Sequence, residues 1–145
     1  MLSASEMTQA WERHSAALFS FTAFAARRMK LGLAEVAAME QLVVHGPMTP
    51  GALGRALSMP SASITALVDR LEYKRMVVRN RNPADRRGYL LEITDNARER
   101  ASLDLVPVLE AMTAFAETMT PEARQAACDY LAGVVDVMKT QQARA

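Results

Sequence analysis

The sequence predicts a mostly α-helical fold with a small β-wing. Apolar residues recur at helical spacing along most of the 145 residues. Only two short runs, Val77-Val78 and Tyr89 to Ile93, show the pattern of strands. Between these runs, Pro83 and Gly88 favour a hairpin loop over a central strand. Since 50% of the residues are hydrophobic, one domain of this length can bury a core.

The first third of the chain predicts two helices. Gly32 breaks the first helical pattern, and Gly46 followed by Pro47 is the order expected where the second helix ends. The first pattern, over residues 6–29, consists of Met7, Trp11, His14, Leu18, Phe21 and Ala25. The second consists of Val36, Met39, Leu42 and Val43.

Residues 49–94 have the organisation of a winged helix-turn-helix. Thr49-Pro50 is an N-cap followed by proline at the first helical position, and this helix extends to about Ala56. After a break at residues 57–60, a helix of about residues 60–74 begins, with Pro60 in its first turn. Its apolar stripe consists of Ile64, Leu67, Val68 and Leu71. Two short helices joined by such a turn, followed by strand, basic loop and strand, form a helix-turn-helix with a wing.

Two further helices are predicted after the wing. Thr94 caps a helix of about residues 95–118, in which Pro107 predicts a kink, and Thr120-Pro121 opens a last helix that reaches about Lys139. A small domain could not easily cover all their apolar residues, which favours a second subunit over a monomeric core. These residues are Leu105, Val108, Leu109, Met112, Phe115, Met119, Tyr130, Leu131, Val134, Val135 and Met138.

The charge of the chain is unevenly distributed. The net charge is +1, but residues 55–87 carry eight basic and three acidic groups, whereas residues 1–54 are neutral overall and residues 88–145 are acidic. A basic segment of this kind favours a surface for a polyanion such as nucleic acid. A solvated charged face is the alternative reading of the charge alone.

Three runs carry a family resemblance. Val68-Asp69-Arg70-Leu71-Glu72 ends the predicted recognition helix, Asp85-Arg86-Arg87 lies in the wing, and Ile93-Thr94 opens the next helix. In this order and spacing the chain resembles the MarR family of bacterial transcription regulators, and its length and helix order agree throughout. The departures are Arg75 and Ala97, where the family often has glycine, and Ala62, where it often has serine. The first two predict altered local turns.

The resemblance implies a domain organisation and a function. Residues 1–145 would form a single MarR-like domain, with a winged DNA-binding lobe at 34–94 and dimerisation helices at 5–30 and 95–140. The protein would act as a homodimer on a pseudo-palindromic site in double-stranded DNA. Family members are commonly repressors that a small aromatic or phenolic effector releases from DNA.

The recognition helix and the wing supply the candidate contacts. Opposite the apolar stripe, hydroxyl side chains can contact bases or phosphates, although such residues also favour a helix start. Arg70, past the helix middle, is expected at phosphate. The predicted DNA-contacting residues are Thr49, Arg55, Ser61, Ser63, Thr65, Arg70, Arg79, Arg81, Asp85, Arg86 and Arg87.

Within the wing, Arg87 is the residue expected in the minor groove, because narrow A·T-rich grooves attract arginine. The resemblance assigns the same role to this position. Asp85 is expected to orient an arginine or to close the wing turn. Arg79, Arg81 and Arg86 are expected to be phosphate contacts or solvated charges.

The effector site is predicted between the dimer helices and the DNA-binding lobe, as the resemblance implies. An aromatic ring and a cation at helical spacing could hold an aromatic carboxylate, although an aromatic stripe is more often core. The candidates are Trp11, His14, Phe21, Arg28, Met39 and His45. Cys128, the one cysteine, is expected to be a buried inert thiol, the alternative being a thiol activated near a helix N-terminus.

Other functional classes find little support in the sequence. There is no nucleophile–base pair, phosphate loop or metal-ligand spacing, so neither an enzyme nor a cofactor is expected. The chain shows no signal-peptide pattern and no membrane span, which favours the cytoplasm. A winged-helix module for protein contacts would not need four arginines in residues 79–87. A non-specific chromosome-binding protein remains the other alternative.

Overall fold

A computed structural model describes residues 3–144 as six helices and one two-stranded sheet. This confirms the mostly helical fold with a small wing. The elements are α1 (Ala4–Met29), α2 (Leu33–His45), α3 (Pro50–Leu57), α4 (Ser61–Tyr73), β1 (Val77–Arg81), β2 (Tyr89–Ile93), α5 (Asp95–Glu117) and α6 (Pro121–Gln142).

The chain divides into two units, one ending at Asp104 and the other beginning at Leu105. The first unit contains α1 to β2 and the start of α5. The second contains the rest of α5 and all of α6. Pro107 lies inside α5, which continues on both sides of it.

The core of the first unit is built around α4. Its four predicted apolar residues are each at most 1% exposed. Three further residues are equally buried against them: Leu53 of α3, Met76 between α4 and β1, and Leu91 of β2. Because full burial of such a side chain contributes about 1.5–3 kcal/mol, this single stripe orients α4 and leaves its opposite face exposed. The buried residues of α4 are Ile64, Leu67, Val68 and Leu71.

The two strands form an antiparallel hairpin. Val77 lies opposite Ile93, and Arg81 lies opposite Tyr89. The predicted alternation of β2 is confirmed, because Leu91 and Ile93 are buried on the core side and Tyr89 packs against the core. Leu91 also exchanges two backbone hydrogen bonds with Met48, which attaches the hairpin to the segment before α3.

The turn between α3 and α4 depends on one glycine. A Cβ at Gly54 would lie 3.1 Å from the carbonyl oxygen of Met59 and 3.2 Å from Cγ1 of Ile64. A side chain here would require the Met59 carbonyl or Ile64 to move by a few tenths of an ångström, so glycine favours the close approach of the two helices. Thr49 caps α3 as predicted, accepting the N–H of Ala52 at 3.1 Å. Pro60, expected in the first turn of α4, instead stands at the N-cap, because its backbone is extended (ψ 155°).

Three helices of the first unit end on a left-handed residue that is not glycine. These residues are Lys30, Ser58 and Arg75, with φ between 53° and 57°. After α4, the Arg75 N–H donates to Glu72 O and the Met76 N–H donates to Leu71 O. This pair of bonds is the Schellman motif, which usually places glycine at the left-handed position.

The altered turns predicted from the missing glycines are not observed. Arg75 adopts the left-handed conformation that glycine adopts most readily, so the turn keeps its form at a conformational cost. Ala97 lies in the regular first turn of α5 and is fully buried. Its N–H donates to the Thr94 hydroxyl at 3.1 Å, which confirms Thr94 as the cap of α5.

Glu35 is a buried charged residue, 3% exposed, in the first turn of α2. Its Oε2 accepts the Gly32 N–H at 2.6 Å and the Lys74 ammonium at 2.7 Å. Burial raises the pKa of the Glu35 carboxyl, but these hydrogen bonds and the charges of Lys74 and Arg70 outweigh it. The pKa therefore lies below the ordinary 4.5, and the carboxylate is ionised at neutral pH.

The second unit leaves its apolar residues uncovered. α6 buries no residue, although Thr120 caps it by accepting the Ala123 N–H. Cys128 is exposed, so the expectation of a buried thiol is wrong for the single chain. The exposed apolar residues include Leu109, Met112, Phe115, Leu131, Val135, Val137 and Met138.

None of the helices within residues 3–144 is both long enough and apolar enough to cross a membrane.

We expect Arg75→Gly to raise the free energy of unfolding by about 0.5–1 kcal/mol. A residue with Cβ spends about 1–2 kcal/mol in the left-handed conformation, and glycine removes this cost. Glycine also makes the unfolded chain more flexible, which lowers the free energy of unfolding by about 0.5–1 kcal/mol and leaves a smaller net gain. Denaturant unfolding followed by circular dichroism measures the change. Arg75→Ala, which removes the same charge but keeps Cβ, is the control and should change the unfolding free energy little. A loss of stability in Arg75→Gly would contradict the assignment of strain to this turn.

Candidate nucleic-acid interface

The exposed face of α4 carries small and hydroxyl side chains. Ser61, Ala62, Thr65 and Ala66 are exposed, and Ser63 is half-buried. The Thr65 hydroxyl donates to the Ser61 carbonyl at 3.0 Å, so its lone pairs are left to accept a hydrogen bond from outside. With no bulky residue at these positions, the backbone of α4 can approach another surface closely.

α3 lies beside this face and contributes one exposed cation, Arg55. Thr49 is half-buried, and its hydroxyl is used in capping α3. A cleft of about 400 Å³ opens between the two helices. Its lining includes Gly51, Arg55, Ser58, Met59, Ser61 and Thr65.

The wing loop is held in shape by its own polar groups. Asp85 Oδ1 accepts the Arg87 N–H at 2.9 Å, and Asn82 Oδ1 accepts the Ala84 N–H at 3.0 Å. The Gly88 N–H donates to the Asp85 carbonyl, and a Cβ on Gly88 would lie 3.2 Å from Asp85 Oδ2. Of the two roles expected for Asp85, the geometry gives closure of the wing turn.

Three arginines of the wing project from this frame. Arg81, Arg86 and Arg87 are exposed, and within residues 3–144 their side chains form no ion pair. Arg87 uses only its backbone N–H in the loop, so its guanidinium is available to an external anion. Together with Arg55, these residues give the lobe exposed positive charge at the wing and at α3.

Arg79 differs from the expected phosphate contact or solvated charge. Its guanidinium contacts Asp69 Oδ1 at 2.5 Å and Glu72 Oε2 at 2.6 Å, and lies over the ring of Tyr89. Three partners within the protein therefore occupy it. Arg70 is 55% exposed and lies 3.8 Å from Glu35 Oε1, so a buried carboxylate already offsets part of its charge.

Glu35 and Lys74 were not among the predicted residues. Lys74 donates to Glu35 and, at 2.9 Å, to the Lys30 carbonyl, which ties the end of α4 to α1 and α2. The spacing of Gly32 and Glu35 is that of a capping box, and this signal could have identified the acid. Its contact with Lys74, 39 residues away, has no local signal.

The predicted effector residues occupy different environments. Met39 is buried in the core, whereas His14 and His45 are exposed and Trp11 is half-buried. Arg28 pairs with Asp104 at 2.8 Å. Arg28 also lies 5.7 Å from the ring centre of Phe24, which is 6.3 Å from the ring of Phe21. On α1 the cation of Arg28 therefore lies beside Phe24, which was not predicted, and the predicted Phe21 neighbours that ring.

Comparison with known proteins agrees with this architecture. A family model described as "MarR family" matches residues 30–88, which cover α2 to the wing. An uncharacterized HTH-type transcriptional regulator of Bacillus subtilis (strain 168), YcgE, is 32% identical over 100 residues. The match covers 68% of this chain and 64% of that relative, so the chain spans slightly less than two thirds of its length.

Solved structures share the fold over nearly the whole chain. The transcriptional regulator Tm0710 from Thermotoga maritima is 26% identical, with a TM-score of 0.57 over 92% of this chain and 96% of that one. A MarR family protein from Bacillus stearothermophilus has a TM-score of 0.69 at 16% identity, covering 93% and 94% of the two chains. The family match, the related regulators and the winged helix-turn-helix lobe show that the chain is similar to the MarR family of transcriptional regulators.

Proposed function

We propose that the protein binds double-stranded DNA as a homodimer and represses transcription from a pseudo-palindromic site in the cytoplasm. The observation that carries this proposal is the pairing of an exposed, small-residue face on α4 with a wing whose Arg81, Arg86 and Arg87 have no ion-pair partner among the described residues. A helix of this kind fits the major groove, and arginines on a rigid loop fit the adjacent backbone and minor groove.

The recognition helix would read bases through its N-terminal half. Ser61 and Thr65 are exposed there; the Ser61 hydroxyl can donate to or accept from base edges, whereas that of Thr65 already donates to the Ser61 carbonyl and can accept. Arg55 on α3 and Arg86 in the wing would contact phosphates on either side, which sets register rather than sequence. Arg87 would enter the minor groove. Arg79 is left out of these contacts because its guanidinium is already paired.

Dimerisation is supported by the second unit. Exposed apolar side chains such as Phe115 (70%) and Val137 (62%) are frequent on its helices, and α6 buries nothing within one chain. Apolar surface of this extent favours association, and a second copy of the same chain is the simplest partner. A two-fold axis would place two α4 helices in successive major grooves, about 34–36 Å apart.

The effector part of the proposal rests on the family resemblance and on the α1 grouping. Phe21, Phe24 and Arg28 combine aromatic surface with a cation, and an aromatic carboxylate would have to replace Asp104 as the partner of Arg28. Binding there would release DNA only if the effector binds the DNA-free state more tightly.

We expect Arg87→Ala to weaken binding to A·T-rich sites about tenfold or more while the fold persists, because within residues 3–144 the Arg87 side chain forms no hydrogen bond or ion pair. The measurement is fluorescence anisotropy on duplexes that the wild-type protein enriches from a random library, beside a thermal melt.

Arg86→Ala is the matched comparison. It should lower affinity uniformly across sequences and reduce the salt slope by about 1, as expected for a phosphate contact. Equal affinity of wild type and Arg87→Ala for A·T-rich sites would refute the minor-groove role.

We expect the wild-type protein to sediment at about twice the 15.9 kDa chain mass. Phe115→Glu should sediment as a monomer, because a charge at this exposed apolar position is tolerated in a single chain but not inside an interface. Gln141→Glu adds the same charge to α6 and should stay dimeric. A monomeric wild type at micromolar concentration would contradict the dimer.

A further inference from the structure

The guanidinium of Arg79 joins the recognition helix to both strands of the wing. Nη2 lies 2.5 Å from Asp69 Oδ1 and Nη1 lies 2.6 Å from Glu72 Oε2, both on α4. Cζ lies 5.1 Å from the ring centre of Tyr89, on β2. Arg79 itself belongs to β1. The side chain of Arg79 therefore links three secondary-structure elements: β1, to which it belongs, and α4 and β2, which its guanidinium contacts.

The register of the hairpin explains why Arg79 turns inward. Arg79 lies opposite Leu91 on β2 and on the same face as Val77 of its own strand, and both of these residues are buried. The side chain of Arg79 therefore begins on the core side of the sheet. Its Nε is buried and has no hydrogen-bond partner within residues 3–144. The Arg79 side chain thus leaves its Nε–H unsatisfied and is held by the carboxylates of Asp69 and Glu72.

These carboxylates give Arg79 a fixed geometry. The rigid fork of a guanidinium fixes distance and direction when two acceptors bind separate nitrogens, which an ammonium cannot do. The hydrogen bond to Asp69 is the main reason that the pKa of Arg79 is raised, so the group stays charged. The contact also offsets part of the charge of Asp69, whose side chain is 58% exposed and would otherwise repel phosphate more strongly.

We propose that Arg79 is a positioning residue that fixes the direction of the wing relative to α4, so that Arg87 and the recognition helix engage DNA together. This inference rests on the proposed DNA binding. A two-stranded hairpin is only marginally stable by itself. Beyond the last strand pair, Arg81 with Tyr89, the hydrogen bonds of the wing loop within residues 3–144 are those of its own turn. A small change of strand direction at Arg79 would therefore displace the Arg87 guanidinium.

A double-mutant cycle between Arg79 and Arg87 tests this role. Binding of wild type, Arg79→Ala, Arg87→Ala and the double variant is measured on a duplex that the wild type enriches from a random library. We expect Arg87→Ala to lower DNA affinity about tenfold in the wild-type background but less than about twofold in the Arg79→Ala background. The two effects would not be additive, because both residues act through the placement of the wing. Arg144→Ala, an exposed change of equal charge, is the control background and should leave the tenfold effect intact.

A second arm removes the acids instead of the arginine. Asp69→Asn with Glu72→Gln keeps Arg79 and removes the carboxylates that could repel phosphate. We expect the effect of Arg87→Ala to be lost here too. Tighter binding with a steeper salt slope would instead show that the released Arg79 contacts phosphate, which would overturn the proposal.

A third background guards against loss of folding. Arg79→Lys keeps the charge, and we expect it to fold and still reduce the Arg87 effect, because an ammonium cannot hold both carboxylates in one plane. Thermal melts accompany each variant. If Arg87→Ala lowered DNA affinity equally in the wild-type and Arg79-substituted backgrounds, the positioning role of Arg79 would be refuted. The proposal that the protein binds DNA would be unaffected by that result. Failure of the wild type to enrich any duplex would refute the proposed function itself.

Discussion

The carboxylate of Glu35 is the contact on which the placement of the recognition helix depends. It accepts the Gly32 N–H at the start of α2 and the Lys74 ammonium at the end of α4, and Lys74 in turn donates to the Lys30 carbonyl after α1. The ion pair of Glu35, which is 3% exposed, with Lys74 therefore links three helix ends. Removing Lys74 is destabilising, because the buried Glu35 carboxylate would keep its desolvation cost without its main partner. Since the pKa of Glu35 is lowered, its carboxylate is ionised at neutral pH.

From this anchor, a continuous set of contacts leads to the wing. α4 ends in the left-handed turn at Arg75, whose carbonyl accepts the Thr94 hydroxyl at 2.6 Å. Thr94 also caps α5, so the end of the recognition helix and the start of the next helix share one residue. β1 leaves the same turn, and Arg79 fastens it back to α4 two residues into the strand. The exposed arginines of the wing are thus carried by a hairpin that is held at its base.

Much of this architecture could be predicted from the sequence, because it depends on local patterns. The apolar stripe of α4, the Thr49 and Thr94 caps and the alternation in β2 each involve residues within one turn or one strand. The left-handed ends at Lys30, Ser58 and Arg75 could not, because the usual marker, glycine, is absent from all three. Cys128 was expected to be buried among alanines, but α6 buries nothing within one chain.

The candidate interface was predicted with the right residue types but not with their pairing. The arginine content of residues 79–87 indicated a basic wing, and Arg81, Arg86 and Arg87 are exposed there. Arg79 lies in the same run, yet the carboxylates of Asp69 and Glu72 hold it, ten and seven residues earlier in the chain. The period of two along β1 places Arg79 beside Val77 on the buried face, which is a signal that composition alone does not show.

Selection from a random duplex library tests the central claim most directly. If a symmetric pair of winged helices reads DNA, the wild-type protein will enrich a pseudo-palindromic sequence whose half-sites are centred about one helical turn, 34–36 Å, apart. Two chains will then bind each enriched duplex. Recovery of no shared sequence, or of an asymmetric sequence bound by a single chain, would contradict the account.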